Sequence, residues 1–502
     1  MSEPPRGVTL PAGETGSAFF HRLLSEAVSR FPAALSQARF PADARAFKKD
    51  YARALVRFEA ARVASPERVD IARHLVTGLH AGLGFTRDGG RLPLAEHLAT
   101  RAPDPRMTTV DGAGGRPGLV PSVTSGGAAY DRRSIVSLAE DLRRQHHMTD
   151  AALAALRWIV ERAEADGGLI DLRGEHFALL GAGAELAPTA MLLRAGATIL
   201  WIDRVGPAER LSPDDLQASA GRLVTAEGAS DLLADPLAVA AAIARFAERA
   251  ERPVHVGLFA YAPGQGRELR LAAGMDAIVR SLDPGLVGSV SMFVSPTIPA
   301  EVQSEDHARA SARAAAPAVW QRALERVRAI RGPGHHQSGG SPIAHAVVAL
   351  QGPTYQAAQY LAKVLSAEVY ATSGLGLGGA SSPVRVSANI AGITATRSLV
   401  HPLFQAGFLG APSFGIRIFE PTTTRSLASL LVLHDLLNPA APSAPGASFA
   451  TPDERVRALA SRQLHGGVYN LPWILDDTIR AAAVIGLTKK PRLVLALARR
   501  SR

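Results

Sequence analysis

The chain has 502 residues, 47% of them hydrophobic and 20% charged, and carries 55 Lys and Arg against 45 Asp and Glu for a formal net charge of +10. That length exceeds what one compact core usually organises and points to two domains. The absence of cysteine excludes disulfides, thiolate metal sites and cysteine nucleophiles.

The start, MSEPPRGVTLPAGETG, has no basic-then-apolar signal pattern, and no apolar run approaches the ~18 residues of a membrane span. A soluble, cytoplasmic protein without a membrane partner is expected. Basic residues in FKKDYARALVRFEAARVASPERVD alternate with acids at helical spacing, which describes a solvated helix face and not a nucleic-acid surface. The excess positive charge suits an anionic small-molecule or carrier-linked substrate.

Residues 17–81 place apolar residues at helical spacing in FFHRLL, AALSQARF, ARALVRFEAARVA and IARHLVTGLHAGLGF. The stretch 87–133 is rich in Gly, Pro and Thr and reads as long loops, with AEHLAT a short helix. Helices follow near 133–146 and 149–165, the second with Thr149 and Asp150 as capping residues. His146 and His147, as helix neighbours, point to different faces and form no metal pair. Residues 1–170 thus read as a mostly helical N-terminal domain, and 171–502 as a second domain.

The second domain opens with HFALLGAGAELAPTAMLLRAGATILWIDR at 176–204: an apolar strand, a glycine turn, a helix start, and a second apolar strand ending on an acid. That order is the front end of a dinucleotide-binding βαβ unit. Gly181 and Gly183 permit a tight turn and close approach to a pyrophosphate, and the next helix N-terminus supplies amides and dipole. A side chain at Gly183 is expected to enter the pyrophosphate space. Asp203, 22 residues past Gly181, is placed to accept from an adenosine ribose. The plainer reading is a glycine-containing strand-to-helix turn of no special function.

Alternation continues with a helix at 211–220, GASDLLADP, a helix at 236–251, a strand in PVHVGLFAYAPG, a helix around 268–282 and a strand in VGSVSMFVSPT. Residues 300–350 interrupt it as an insertion with one helix over roughly 306–330, the loop GPGHHQSGGSP and a short strand HAVVAL. A helix at 355–369, the loop SGLGLGG and the strand VRVSAN follow; the tail adds strand-like FGIRIFEP, the helix LASLLVLHDLL, a loop at 438–448 and at least one more helix. The fold class expected is α/β, a doubly wound, Rossmann-like parallel sheet beside the helical N-terminal domain.

Over about 176–470 the chain resembles an enlarged short-chain dehydrogenase/reductase. GAGAELA resembles the family's glycine turn, with Gly181 retained, Glu185 where glycine is common, Leu186 beside it and Ala187 at the helix-packing position. Asp231 in SDLLADP resembles the aspartate that contacts adenine, with Leu232 next to it. FAYAPG, from which Tyr261 and Gly264 are taken, sits where the family has Asn-Asn-Ala-Gly, and only its glycine matches. GSVSMFVSP resembles the fifth strand, which makes Ser295 the substrate-polarising serine. TYQAAQYLAKVLSAEV resembles the active-site helix, which makes Tyr355 the proton donor. VRVSANIAGITATRSL resembles the sixth strand and its loop, with Ala391-Gly392 in place of Pro-Gly and Thr396 at the threonine that reaches the nicotinamide carboxamide.

The sequence departs from the family at Gln359, which stands four residues after Tyr355 where a lysine normally holds the nicotinamide ribose and lowers the tyrosine pKa. Lys363, two further helical turns on and rotated by about 80° from Tyr355, is the substitute candidate. A lysine restored at 359 is expected to ease oxidation by lowering the tyrosine pKa.

The resemblance implies an NAD(P)-dependent oxidoreductase acting on a carbonyl or activated C=C. NAD(H) is favoured over NADP(H), because Asp203 would repel a 2′-phosphate, although Arg204 beside it could pair with one. Rival readings are a lyase or epimerase that retains its cofactor, and a non-catalytic dinucleotide-binding scaffold or sensor. Neither a metal nor nucleic acid is expected, and a homo-oligomer remains open.

Overall fold

A computed structural model describes residues 6–493 apart from 103, 113–117, 218, 263, 265, 338, 378–381, 398, 400 and 491. The SGLGLGG loop, at 373–379, therefore falls partly outside the described residues. Seven strands form the central sheet: β1 (Met107–Asp111), β2 (His176–Leu180), β3 (Thr198–Ile202), β4 (Arg222–Ala226), β5 (Val254–Leu258), β6 (Val287–Val294) and β7 (Arg385–Ile390). Their order is β7-β6-β5-β2-β3-β4-β1. Strands β2 to β7 are parallel, and β1 closes the β4 edge antiparallel, Met107 opposite Ala226. The order of winding reverses between β2 and β5, so the topological switch point lies at their carboxyl ends.

The inner strands are apolar on both faces, as a covered parallel sheet requires. Ala178, Leu180, Leu200, Ile202, Val256 and Met292 face a layer that includes helices Gly16–Arg30, Ala44–Val63, Arg68–Gly82, Pro236–Ala250 and Arg267–Arg280. Their neighbours Phe177, Leu179, Ile199 and Trp201 face helices Arg133–Arg144, Asp150–Ala165 and Pro421–Leu437. Residues before 170 thus contribute helices to both apolar layers and one strand to the sheet. A third apolar cluster, with Val294, Ile298, Ile390, Phe414 and Trp473, covers the carboxyl ends of β6 and β7.

Several elements differ from the expectations. The stretch read as long loops contains β1, the strand Gly90–Pro93, which pairs back on Gly84–Arg87, and the hairpin Ser122–Ser125/Ala128–Asp131. Their few polar residues carry too little apolar alternation to announce strands. The single helix of the insertion is two, Ser304–Ala315 and Val319–Arg326, broken around Pro317, whose ring and missing N–H oppose helix continuation. HAVVAL forms no strand and runs into a 3₁₀ turn at Ala349–Gln351, while FGIRIFEP contributes only a bridge from Phe419 to Thr394. The helix expected at 211–220 is the single turn Pro213–Gln217. The helix that carries Tyr355 runs through Pro353–Gln359, a π segment Tyr360–Leu365 and Ser366–Ser373. Such π segments often lie at functional sites.

Candidate dinucleotide and active site

The glycine turn leaves β2 at Gly181, whose φ is +89° and whose N–H donates to Ile202 O at 2.8 Å. A Cβ here would lie 2.2 Å from Ala260 N. Phe259 and Ala260 both donate to Leu180 O, so the chains leaving β2 and β5 touch at the switch point and only glycine fits between them. Gly183 donates to Asp203 Oδ2 at 3.0 Å, and Val205 N donates to Asp203 Oδ1 at 3.1 Å. Asp203 therefore fastens the turn to the end of β3. A Cβ on Gly183 would meet Arg210 Cγ at 2.9 Å, Trp201 at 3.1 Å and Asp203 Oδ2 at 3.2 Å. This corrects the expectation that a side chain there would enter a pyrophosphate space. The helix begins only at Thr189, eight residues past Gly181, and ends at Arg194; Thr189 Oγ1 donates back to Ala182 O at 2.6 Å.

Beyond the turn, Glu185 accepts from Arg397 N at 3.0 Å, and its carbonyl accepts from Arg425 at 3.3 Å. The glycine turn is thereby tied to the loop after β7, where Thr396 lies. Leu186 is half-buried against the apolar layer. Arg204, exposed, lies 3.4 Å from Asp231, which spends its other oxygen on the amides of Leu233 and Ala234. Leu232 is 6% exposed in the core, so its side chain does not line the carboxyl edge. Gly392, at φ +90°, lies where a Cβ would meet the Phe419 ring at 2.9 Å, and packing alone accounts for it. Gly264, at φ +93°, faces open space.

At the other end of the crevice the fifth-strand serine and the helix tyrosine come together. The last register pair between β5 and β6 is Leu258 with Met292, so β6 outlasts its neighbour and leaves backbone groups to be satisfied. The helix supplies the partners. Lys363 Nζ donates to Phe293 O at 2.9 Å, and Ser295 N donates to Gln359 Oε1 at 3.0 Å. Tyr355, Gln359 and Lys363 thus share one helix face along the end of β6. The Tyr355 hydroxyl meets those of Ser295 and Thr297, which lie 2.8 Å from each other. Burial raises the Tyr355 pKa, and the two hydroxyls offset part of that rise. Tyr261, 45% exposed, sets its ring edge-on to Tyr355 at 6.5 Å. Burial pushes Lys363 down to about 8.

Gln359 and Lys363, expected to hold a ribose, each spend one hydrogen bond on backbone at the end of β6. The sequence reading missed three neighbours. Thr297 stands two residues past Ser295 across Pro296. Gln356 donates to Thr297 O at 2.8 Å and leaves its buried Oε1 without a hydrogen bond. Glu268 has a buried Oε2 without a hydrogen-bond partner, and its charge raises both tyrosine pKa values. The motif Ser-Pro-Thr was a visible signal for the first; the other two depend on non-local packing.

The order β4-β3-β2-β5-β6-β7, all parallel and covered by helices on both faces, decides the architecture. The fold is Rossmann-like. No protein-family model and no curated protein matches the chain. Among the described residues, no helix is long and apolar enough to cross a membrane, and no group of three or more His, Cys, Asp or Glu is placed to hold a metal ion.

At the β2–β3 end the crevice offers an acceptor beside the glycine turn. Asp203 is half-exposed beside the glycine turn, and its carboxylate retains lone pairs beyond the two amides it accepts. On this side of the crevice the orphaned Gln356 and Glu268 oxygens lie near a tyrosine with two hydroxyl neighbours, and Lys363 donates to Phe293 O.

Proposed function

We propose that the protein binds NAD(P) across the carboxyl ends of β2 and β5 and reduces a carbonyl or activated C=C of a small or carrier-linked substrate. The meeting of Tyr355 with Ser295 and Thr297 at the end of β6, one strand from the switch point, carries this reading. The 181–186 turn would hold the pyrophosphate, Asp203 the adenosine ribose, and Arg204 with Asp231 the adenine edge. Tyr261, Gly264, Gly392 and Thr396 would border the nicotinamide half. When bound, the nicotinamide supplies the hydride.

The chain's own residues handle the proton. Ser295 and Thr297 orient the substrate oxygen, and Tyr355 donates to it as negative charge develops. With its pKa raised, Tyr355 is protonated at neutral pH, the form that reduction needs. Gln359 and Lys363 act as positioning residues that fix the end of β6. NAD(H) is preferred over NADP(H), since the Asp203 carboxylate opposes a 2′-phosphate.

Tyr355→Phe tests the reading. It should leave NADH binding intact by calorimetry and lower turnover on a carbonyl and enoyl panel by roughly 10²-fold or more, the scale of a lost general acid. Undiminished turnover would remove Tyr355 and this mechanism. The engagement of Gln359 and Lys363 by the backbone favours a second reading, a dinucleotide-binding protein without turnover. Tight NADH binding with no turnover by the wild-type chain would select it.

A further inference from the structure

The central sheet finishes its two edges differently. At the β7 edge Gln463 bridges Ile390, Leu464 N donates to Ile390 O at 3.1 Å, and Arg462 reaches Asn389 at 3.2 Å. At the other edge β1 pairs only with β4, and no group among the described residues bonds its outer side. Thr108, Thr109, Val110 and Asp111 are exposed, Val110 at 54%. Natural sheets blunt such an edge with proline, lysine, a bulge or a covering element. MTTVD holds neither proline nor lysine, and its register with β4 runs unbroken from Met107 to Asp111.

The register fixes which backbone groups are left over. Gly112 N donates to Gly221 O and Glu227 N to Arg106 O, each at 3.0 Å. Residues of an antiparallel ladder alternate between bonding one neighbour and the other, so the even-numbered residues of β1 bond β4. Arg222 N donates to Ala197 O at 3.1 Å, which spends the even-numbered residues of β4 on β3, as that alternation requires. The N–H and C=O groups of Met107, Thr109 and Asp111 therefore point away from the sheet. They are spaced evenly about Thr109, which makes the outer edge complementary to a two-fold copy of itself.

We propose that two copies of the chain associate by antiparallel pairing of β1 with β1 about a two-fold axis at Thr109, joining their central sheets into one. Thr109 then faces Thr109 of the second copy, Met107 faces Asp111, and every outward N–H meets a carbonyl. Val110, paired in register with the buried Leu223, comes opposite Thr108 of the second copy, a β-branched pair suited to a sheet surface. Antiparallel pairing also brings the basic end of each strand, Arg106, to the acidic end of the other, Asp111. The two crevices open at opposite ends of the joined sheet, so neither draws a residue from the other copy. The pairing stands whether or not the protein is an oxidoreductase. A ladder this short makes a weak, reversible dimer.

Sedimentation velocity of the full chain over roughly 5–500 μM, a range suited to a weak interface, should show a concentration-dependent monomer–dimer equilibrium. Thr109→Pro removes an N–H that bonds nothing within its own copy, so circular dichroism should match the wild type while the apparent Kd rises by roughly tenfold or more. Val110→Lys changes an exposed side chain and sets cations diagonal to one another and to Arg106 across the axis, and it should weaken the dimer by a similar factor. The chain has no cysteine, so Thr109→Cys places a single thiol opposite its copy, with Cα atoms about 5.5 Å apart, a spacing that admits a disulfide. Under mild oxidant it should form linked dimers faster than Val319→Cys, at a position 82% exposed elsewhere on the surface. A wild-type chain monomeric throughout the range, a dimer unweakened by Val110→Lys or by a folded Thr109→Pro, or linking at 109 no faster than at 319 would each overturn the proposal.

Discussion

At the β2–β3 end of the crevice Asp203 accepts two backbone amides, from Gly183 at 3.0 Å and Val205 at 3.1 Å, and stays half-exposed. At the β6 end Gln359 accepts one amide, from Ser295 at 3.0 Å, and is 5% exposed. Both side chains do the same structural work, satisfying backbone groups where strands run out of partners. What remains afterwards differs. A carboxylate offers about four lone-pair sites on two oxygens, so Asp203 still has capacity for a ligand, whereas a buried glutamine carbonyl enclosed against a strand has little. Residue type at a site position therefore says less about binding than the backbone groups that already claim it.

The largest effect that sharpens this comparison is expected at Gly181. Alanine would hold a left-handed φ of +89° and collide with Ala260 N, costing about 3 kcal/mol or more of stability, whereas Gly183→Ala has no left-handed φ and meets side-chain atoms of Arg210, Trp201 and Asp203 rather than backbone, so it should cost less than Gly181→Ala. Urea unfolding of the two variants separates them. Equal losses would mean that the switch-point contact is not the constraint on this turn.

Lys363 comes next, through pH. Its folded pKa of about 8 lies below the ordinary 10.5, so the unfolded chain binds more protons between those values. Wild-type stability should gain up to about 3 kcal/mol from this group as pH rises from 8 toward 10.5, with no contribution to the slope below 8. Lys363→Met removes that component, so the stability difference between the two proteins must shift toward the wild type across this window. A constant difference would show that the ammonium is not held in the buried position against Phe293 O.

How much of this was legible in the sequence depended on how local the cause was. Strands β2, β3, β5, β6 and β7 read clearly because their apolar runs follow from burial on both faces. Strand β4, and β1 on its edge, did not, since RLVTA and MTTVD mix polar and apolar residues and gain strand character by pairing, β4 with β3 and β1 with β4. The family resemblance paired Tyr355 with Ser295 as site residues. The use of Gln359 and Lys363 by β6 was not foreseen, because it depends on β5 ending at Leu258, a fact of register.

At Gln359 the consequence reverses what the family resemblance implies. A lysine there cannot accept from Ser295 N and would add a second cation beside Lys363. Gln359→Lys should therefore destabilise the fold by about 1–3 kcal/mol, the cost of a buried unpaired donor, and should not ease alcohol oxidation. Thermal unfolding and the pH profile of any oxidation activity read both. A stable variant with oxidation shifted to lower pH would place residue 359 at a ribose and undo the contrast with Asp203.

The smallest change is expected from Asp203→Asn, which asks whether the adenosine end has the spare capacity assigned to it. An asparagine oxygen can replace one of the two acceptors, but its amide nitrogen cannot accept from Gly183 or Val205, so one backbone bond is lost for about 1 kcal/mol in a half-exposed setting. Loss of the negative charge should also remove the opposition to a 2′-phosphate, all the more because Arg204 stands beside it. Relative affinity for NADPH over NADH, measured by calorimetry, should rise at least several-fold in the variant. If the ratio stays fixed while stability falls, Asp203 serves only to hold the glycine turn, and the two ends of the crevice are alike after all.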